Sequence, residues 1–235
     1  MTPLLIGDPT VFAIESQISI AYERLGFRAL GYFVLHIGGR RYGVHEPNAT
    51  MLANAFDTVG KILSERGLHT AAFASEPEAG AILEAIHLAI YAPDPGAKEF
   101  YGIPVKDFQE LKSLNYLEWH RCCDEAFDDG SSVLLFDVGD RVRLIADRTP
   151  WEQKDHKHDP TTLRDVWLEA DRFYGILHCW RDAFDTEWAN SVKTSEQDEG
   201  SPAAMAQIYR LEHLTEAIRA ARGGRNHFDD VAVKP

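Results

Sequence analysis

Between Phe12 and Tyr22 the chain alternates. Phe12, Ile14, Ser16, Ile18, Ile20 and Tyr22 hold the even positions, and Ala13, Glu15, Gln17, Ser19 and Ala21 hold the odd ones. Successive side chains of a strand point to opposite faces, so this period of two predicts a long β-strand with an even face in a core and an odd face in water. Such a strand needs neighbours, and the next segment supplies them. Residues 28–44, RALGYFVLHIGGRRYGV, are apolar on both faces up to Ile37 and then turn at Gly38-Gly39. Two adjacent glycines tolerate the positive φ angles of a tight hairpin, so residues 40–44 are expected to return antiparallel and complete a three-stranded meander.

Helical periods take over next. Leu52, Phe56, Val59 and Leu63 form one stripe that begins near Asn48 or Thr50 and ends at Gly67. Residues 69–73 read as a short further strand. Ser75-Glu76-Pro77-Glu78 has the form of a capping box with proline in the first turn, which predicts a helix from Ser75 carrying Ile82, Leu83, Ile86 and Ile90. Prolines break residues 91–105, and residues 107–130 carry a less regular helical region. Val138-Gly139 marks a second hairpin, residues 161–170 read as one more strand, and a long helix then starts near Asp171. Its Phe173, Leu177, Trp180, Phe184 and Trp188 form a wide aromatic seam that must lie on something flat.

Strands arriving in hairpins, rather than alternating singly with helices, predict an α+β fold: a largely antiparallel sheet with helices packed on one face. Residues 1–189 are expected to form that domain. Residues 190–201 have linker composition, so residues 190–235 are expected to be a linker, a C-terminal helix opened at Ser201-Pro202, and a tail packed on the domain.

Charge narrows the partners. The 37 acidic against 24 basic residues leave a net charge of −13, which repels phosphate backbones and anionic membrane surfaces and attracts a basic protein. Three cysteines, Cys122, Cys123 and Cys179, form no CxxC and leave one unpaired, as expected of core thiols in a reducing compartment. The start of the chain has no basic n-region, and no eighteen apolar residues run together, so the expected address is cytoplasmic.

Asp155, His156, His158 and Asp159 form the loudest local cluster. Histidines at i and i+2 with flanking carboxylates suit a zinc-like ion and would serve a metal-dependent hydrolase. Against that, the segment is polar, a lysine separates the histidines, and no HExxH completes a set, so solvated histidines are the expected reading. His120 beside Cys122 and Cys123 makes no nucleophile pair, because neighbouring helical residues point about 100° apart. Asp124, Glu125, Asp128 and Asp129 are the densest acidic group, either a solvated surface or a docking patch for a cationic partner. Gly38-Gly39-Arg40-Arg41 lacks the spacing of a phosphate loop and is read as a hairpin. No GxSxG elbow or kinase set occurs, and basic residues do not gather with aromatics as nucleic-acid recognition requires.

The run IGDPTVFAIES, the strand ending in GYFVLHIGGRRYG, the LANAFDTVGKIL helix and the late DRFYGILHCWRDAFDTEW together resemble immunity protein family forty-two of bacterial polymorphic toxin systems. The resemblance spans residues 3–188. It departs in residues 91–130 and after Asn190, and only Phe12, Ala13, Ile14 and Glu15 match a motif residue by residue. It implies an antitoxin that occludes a cognate secreted toxin, with no catalysis and no cofactor. Glu15, on the strand's expected wet face, is then a candidate contact beside Asp124, Glu125, Asp128 and Asp129. The alternatives are the metal-dependent hydrolase and an adaptor whose partner is not a toxin.

Overall fold

The structure, a computed structural model, describes residues 2–91, 96–114, 117–119, 125–149 and 159–194. Strands β1 (Leu4–Asp8), β2 (Phe12–Tyr22), β3 (Ala29–Ile37) and β4 (Arg40–Tyr42) pair antiparallel in that order, and β5 (Thr50–Met51) also pairs with β3. The expected meander is present with one strand added in front. Gly38 and Gly39 turn at φ 56° and 76°, values that L side chains rarely adopt. Helices α1 (Leu52–Ser64) and α2 (Ala79–Tyr91) follow, then a small hairpin of β6 (Glu99–Phe100) and β7 (Ile103–Pro104), and α3 (Val105–Leu114). A 3-10 turn at Glu125–Phe127 leads into β8 (Ser131–Val138), β9 (Arg141–Arg148) and β10 (Arg164–Glu169), a second antiparallel sheet. The long helix α4 is Ala170–Asn190. The α+β class and its antiparallel pairing are as expected, with the strands divided between sheets.

The two sheets fill two cores. On the even face of β2, Phe12, Ile14 and Ile18 join Phe33, Leu35 and Ile37 of β3 beneath α4 and α1. Phe173, Leu177, Trp180 and Phe184 are wholly buried there, so the aromatic seam found its flat surface. Phe33 meets Trp180 edge-on at 5.1 Å, and Phe56 of α1 lies 5.8 Å from Phe184. Trp180 Nε1 donates to Ser16 Oγ at 3.0 Å, satisfying the one polar group on each of the two facing elements at that point. Because β8 and β9 are buried on both faces, Val133, Leu135, Val142 and Leu144 join this core, while Leu134, Phe136 and Ile145 face a second one. That second core is made by Ile82, Leu83 and Ile86 of α2 and Phe108 of α3.

Four expectations need correction. The odd face of β2 is not wet: Ala13 is fully buried and Glu15 and Gln17 are half-buried, because β3 lays Tyr32 and Val34 beside them. A register shift between Ile18 and Ile20 then flips the pattern, burying Ala21 instead of Ile20. Residues 69–73 form no strand; His69 accepts from the Asp137 N–H at 2.7 Å through its carbonyl, while its own N–H goes to the Asp137 side chain rather than to a neighbouring strand. Helix α2 starts at Ala79, not Ser75, since Glu78 supplies the first helical carbonyl, to Ala81 and Ile82. Cys179 is exposed rather than a core thiol, being one residue and about 100° around the helix from buried Trp180. The expected helix after Ser201, the linker at residues 195–201, His120, Cys122 and Cys123 lie outside the described residues.

Gly31 marks where packing tolerates nothing larger than hydrogen. A Cβ there would stand 2.0 Å from the Gln17 carbonyl oxygen and 2.9 Å from Leu52 Cδ1. Gly31→Ala is expected to lower unfolding free energy by about 1–3 kcal/mol, the range for overpacking, and Trp180→Ala by about 3–5 kcal/mol. Urea titration checks both. A loss below experimental error at either position would contradict this packing.

Candidate functional site

Three polar clusters stand out from the apolar frame. The first is on the odd face of β2 and β3. Register places Glu15 opposite Val34, so Tyr32 and His36, two residues to either side, reach it diagonally. Tyr32 donates its hydroxyl to Glu15 Oε1 at 2.9 Å and His36 Nε2 lies 2.7 Å from Oε2. His45, from the loop after β4, completes the set with Nε2 at 3.1 Å from Oε1 and its ring 4.4 Å from that of Tyr32. Burial alone would raise the Glu15 carboxyl, but hydrogen bonds from His36, Tyr32 and His45 outweigh it and hold its pKa below the ordinary range. Burial and the Glu15 charge both push the Tyr32 hydroxyl up.

His45 also lines an open cleft of about 570 Å³ between the edge strand β4 and the ends of β9 and β10. Arg40, Arg41, Arg148, Arg164 and Asp129 share that lining. Asp129 accepts from the Ser131 N–H at 3.1 Å and pairs with Arg148 at 2.6 Å. Asp128 is exposed on the adjoining turn, and Glu125 is half-buried at the start of the 3-10 turn. Of the acidic candidates, then, the structure brings Asp129 and, through His45, Glu15 to one cleft. Asp124 lies outside the described residues, as do Asp155, His156 and His158. Asp159 closes a turn, its Oδ1 accepting from the Thr161 N–H at 2.9 Å and the Thr161 hydroxyl at 2.8 Å. Among the described residues no group of three or more His, Cys, Asp or Glu is placed to hold a metal ion. None of the described helices is long and apolar enough to cross a membrane.

The other two clusters are ties built on a largely buried Asp137 and a buried Arg143. Asp137 of β8 accepts through Oδ2 from the Gly67 and His69 N–H groups and from His69 Nδ1, and through Oδ1 from the Tyr174 hydroxyl at 2.8 Å. Among the described residues, His69 Nε2 is buried without a hydrogen-bond partner. Arg143 of β9, almost wholly buried, makes a bidentate pair with Asp165 of β10 at 2.9 and 2.8 Å. Its Nη1 donates to the Ala74 and Glu76 carbonyls at 2.8 and 2.6 Å, fixing the approach to α2. In both clusters the carboxylate is held by donors of its own chain.

The model of the family described as Imm42, Immunity protein 42, matches residues 1–183. The chain belongs to that family. It is therefore an immunity protein, and its partner is a toxin. Among solved structures, a crystal structure of CdiI from Burkholderia dolosa AUO158 is similar at 18% identity and a TM-score of 0.47, over 77% of this chain and 99% of that one. No curated protein matches.

In this immunity protein the arginine cleft is what sequence reasoning missed. Arg40-Arg41 was visible as a doublet, but Arg148 and Arg164 join it only through folding, from strand ends more than a hundred residues away. Stability should carry the signature of the buried carboxylate. Burial would raise Asp137, yet hydrogen bonds from His69 and Tyr174 hold its pKa below the ordinary 3.8. A depressed folded-state pKa gives stability that is fully present above the unfolded value and is lost as pH falls through the folded one. Asp137→Asn is expected to cost about 1–3 kcal/mol at pH 7, with the gap to wild type closing below pH 3.8. Urea titrations across pH check this, and a gap that stays constant into acid would contradict it.

Proposed function

We propose that this immunity protein neutralises its toxin by stoichiometric occlusion of the toxin's working surface, in the cytoplasm, and that the toxin domain it meets is basic. The family match over residues 1–183 carries the reading. Its titratable clusters agree in kind: Glu15, Asp137 and Asp165 are each held by groups of their own chain, which suits a rigid docking surface. An excess of acidic side chains draws a basic domain in and speeds the encounter, while repelling nucleic acid and anionic lipid. A stable plug buries about 1,200–2,000 Å² in total, so the contact extends well beyond a single cluster.

Titration of the toxin domain encoded beside the gene tests the mechanism. Toxin activity should fall linearly with added immunity protein and vanish at equimolar ratio. Inactivation at ratios far below that would mean turnover and overturn occlusion. Raising salt from about 0.01 to about 1 M shortens the Debye length from about 30 to about 3 Å, so the association rate should drop by roughly tenfold or more. A rate indifferent to salt would contradict the basic partner.

A further inference from the structure

Four guanidiniums from three strands converge on the cleft beside β4. Arg40 and Arg41 come from β4 itself, Arg148 ends β9 and Arg164 begins β10. The lining answers them with two carboxylates, Glu46 and Asp129, a local balance of four against two in a chain whose total is −13. Three of the arginines are oriented by backbone carbonyls. Arg40 donates to Thr161 O at 3.3 Å, Arg148 to Arg41 O at 3.1 Å, and Arg164 to Gly38 O at 3.2 Å and Leu163 O at 2.6 Å. A carbonyl fixes a guanidinium in place and leaves its charge standing. Of the four, Arg148 alone meets a carboxylate, that of Asp129; among the described residues no ion pair reaches Arg40, Arg41 or Arg164.

Guanidiniums held in position, open to water and short of counter-charge are made for carboxylates, which they grip in pairs of parallel hydrogen bonds. A volume of about 570 Å³ falls in the range of small-ligand sites, so the cleft takes the tip of a loop rather than a domain. We propose that it receives an acidic, carboxylate-bearing loop of the toxin. This deepens the occlusion reading and rests on it. The acidic remainder of the surface attracts the toxin's basic body without fixing its orientation. One cleft of opposite sign fixes the register, because any other docking sets basic toxin side chains against Arg40 and Arg41.

The test is calorimetric titration of the full chain with the toxin domain encoded beside the gene. Arg41 is exposed and Arg40 half-buried, and neither belongs to the hydrophobic cores, so Arg40→Glu/Arg41→Glu should fold, as circular dichroism will show; Arg41→Glu alone replaces it otherwise. The reversed pair should bind about 100-fold more weakly. Arg40→Lys/Arg41→Lys, which keeps the charge, should lose about tenfold or less. Reversing the toxin's acidic loop to lysine should restore affinity for the Glu variant. Unchanged affinity of the Glu variant, or a weakening that no toxin acidic residue rescues, overturns the cleft's role while leaving toxin binding intact. Failure of the unaltered protein to bind the toxin domain overturns both.

Discussion

The contact between Trp180 and Ser16, an indole N–H on a serine hydroxyl inside a wholly buried aromatic seam, ties the 21-residue helix α4 to the 11-residue strand β2. Around it Phe12, Phe33, Phe56, Phe173 and Phe184 interlock at centroid separations between 5.1 and 6.5 Å. Burying each such ring is worth about 1.5–3 kcal/mol, and the rings come from β2, β3, α1 and α4, so this one core joins elements from both ends of the described chain. The cost is a surface. With its even face committed to α4, and Ala13, Tyr32 and Val34 buried on its odd face, the first sheet offers a partner its edges and the adjoining loops.

Polar ties hold those remaining surfaces still. Arg143 links two strands to the approach of α2, and Asp137 links β8, the segment after α1, and Tyr174 of α4. Glu15 binds the loop after β4 to the middle of the first sheet through His45. A buried carboxylate with several donors is costly to disturb, so these ties favour one arrangement of the loops over many. A docking surface fixed before the encounter loses less conformational freedom on binding, which a tight inhibitor requires.

Much of this frame was legible in the residues. Gly38-Gly39 announced the hairpin, the recurrence of Phe173, Leu177, Trp180 and Phe184 announced α4, and Val138-Gly139 announced the second sheet. What escaped was whatever depends on a distant partner. Glu15 was read as wet because alternation along one strand says nothing of Tyr32 and His36 on the next. Strand β1 escaped because Leu4–Asp8 is short and becomes a strand by pairing with residues 12–16. The capping box at Ser75 was outbid locally: Arg143 takes the Ala74 and Glu76 carbonyls and holds that stretch out of the helix. The arginine cleft was hidden for the same reason, its members being scattered singly along an acidic chain.

On the occlusion proposed above, a preformed, polar side meets the toxin, and the aromatic side holds the fold. Amide hydrogen exchange of the protein, alone and in the toxin complex, tests that division most directly. The account predicts new protection in β4 and the loop that follows it, residues 40–49, with the exchange of α4 unchanged. Protection gained along α4 and none at residues 40–49 would contradict it.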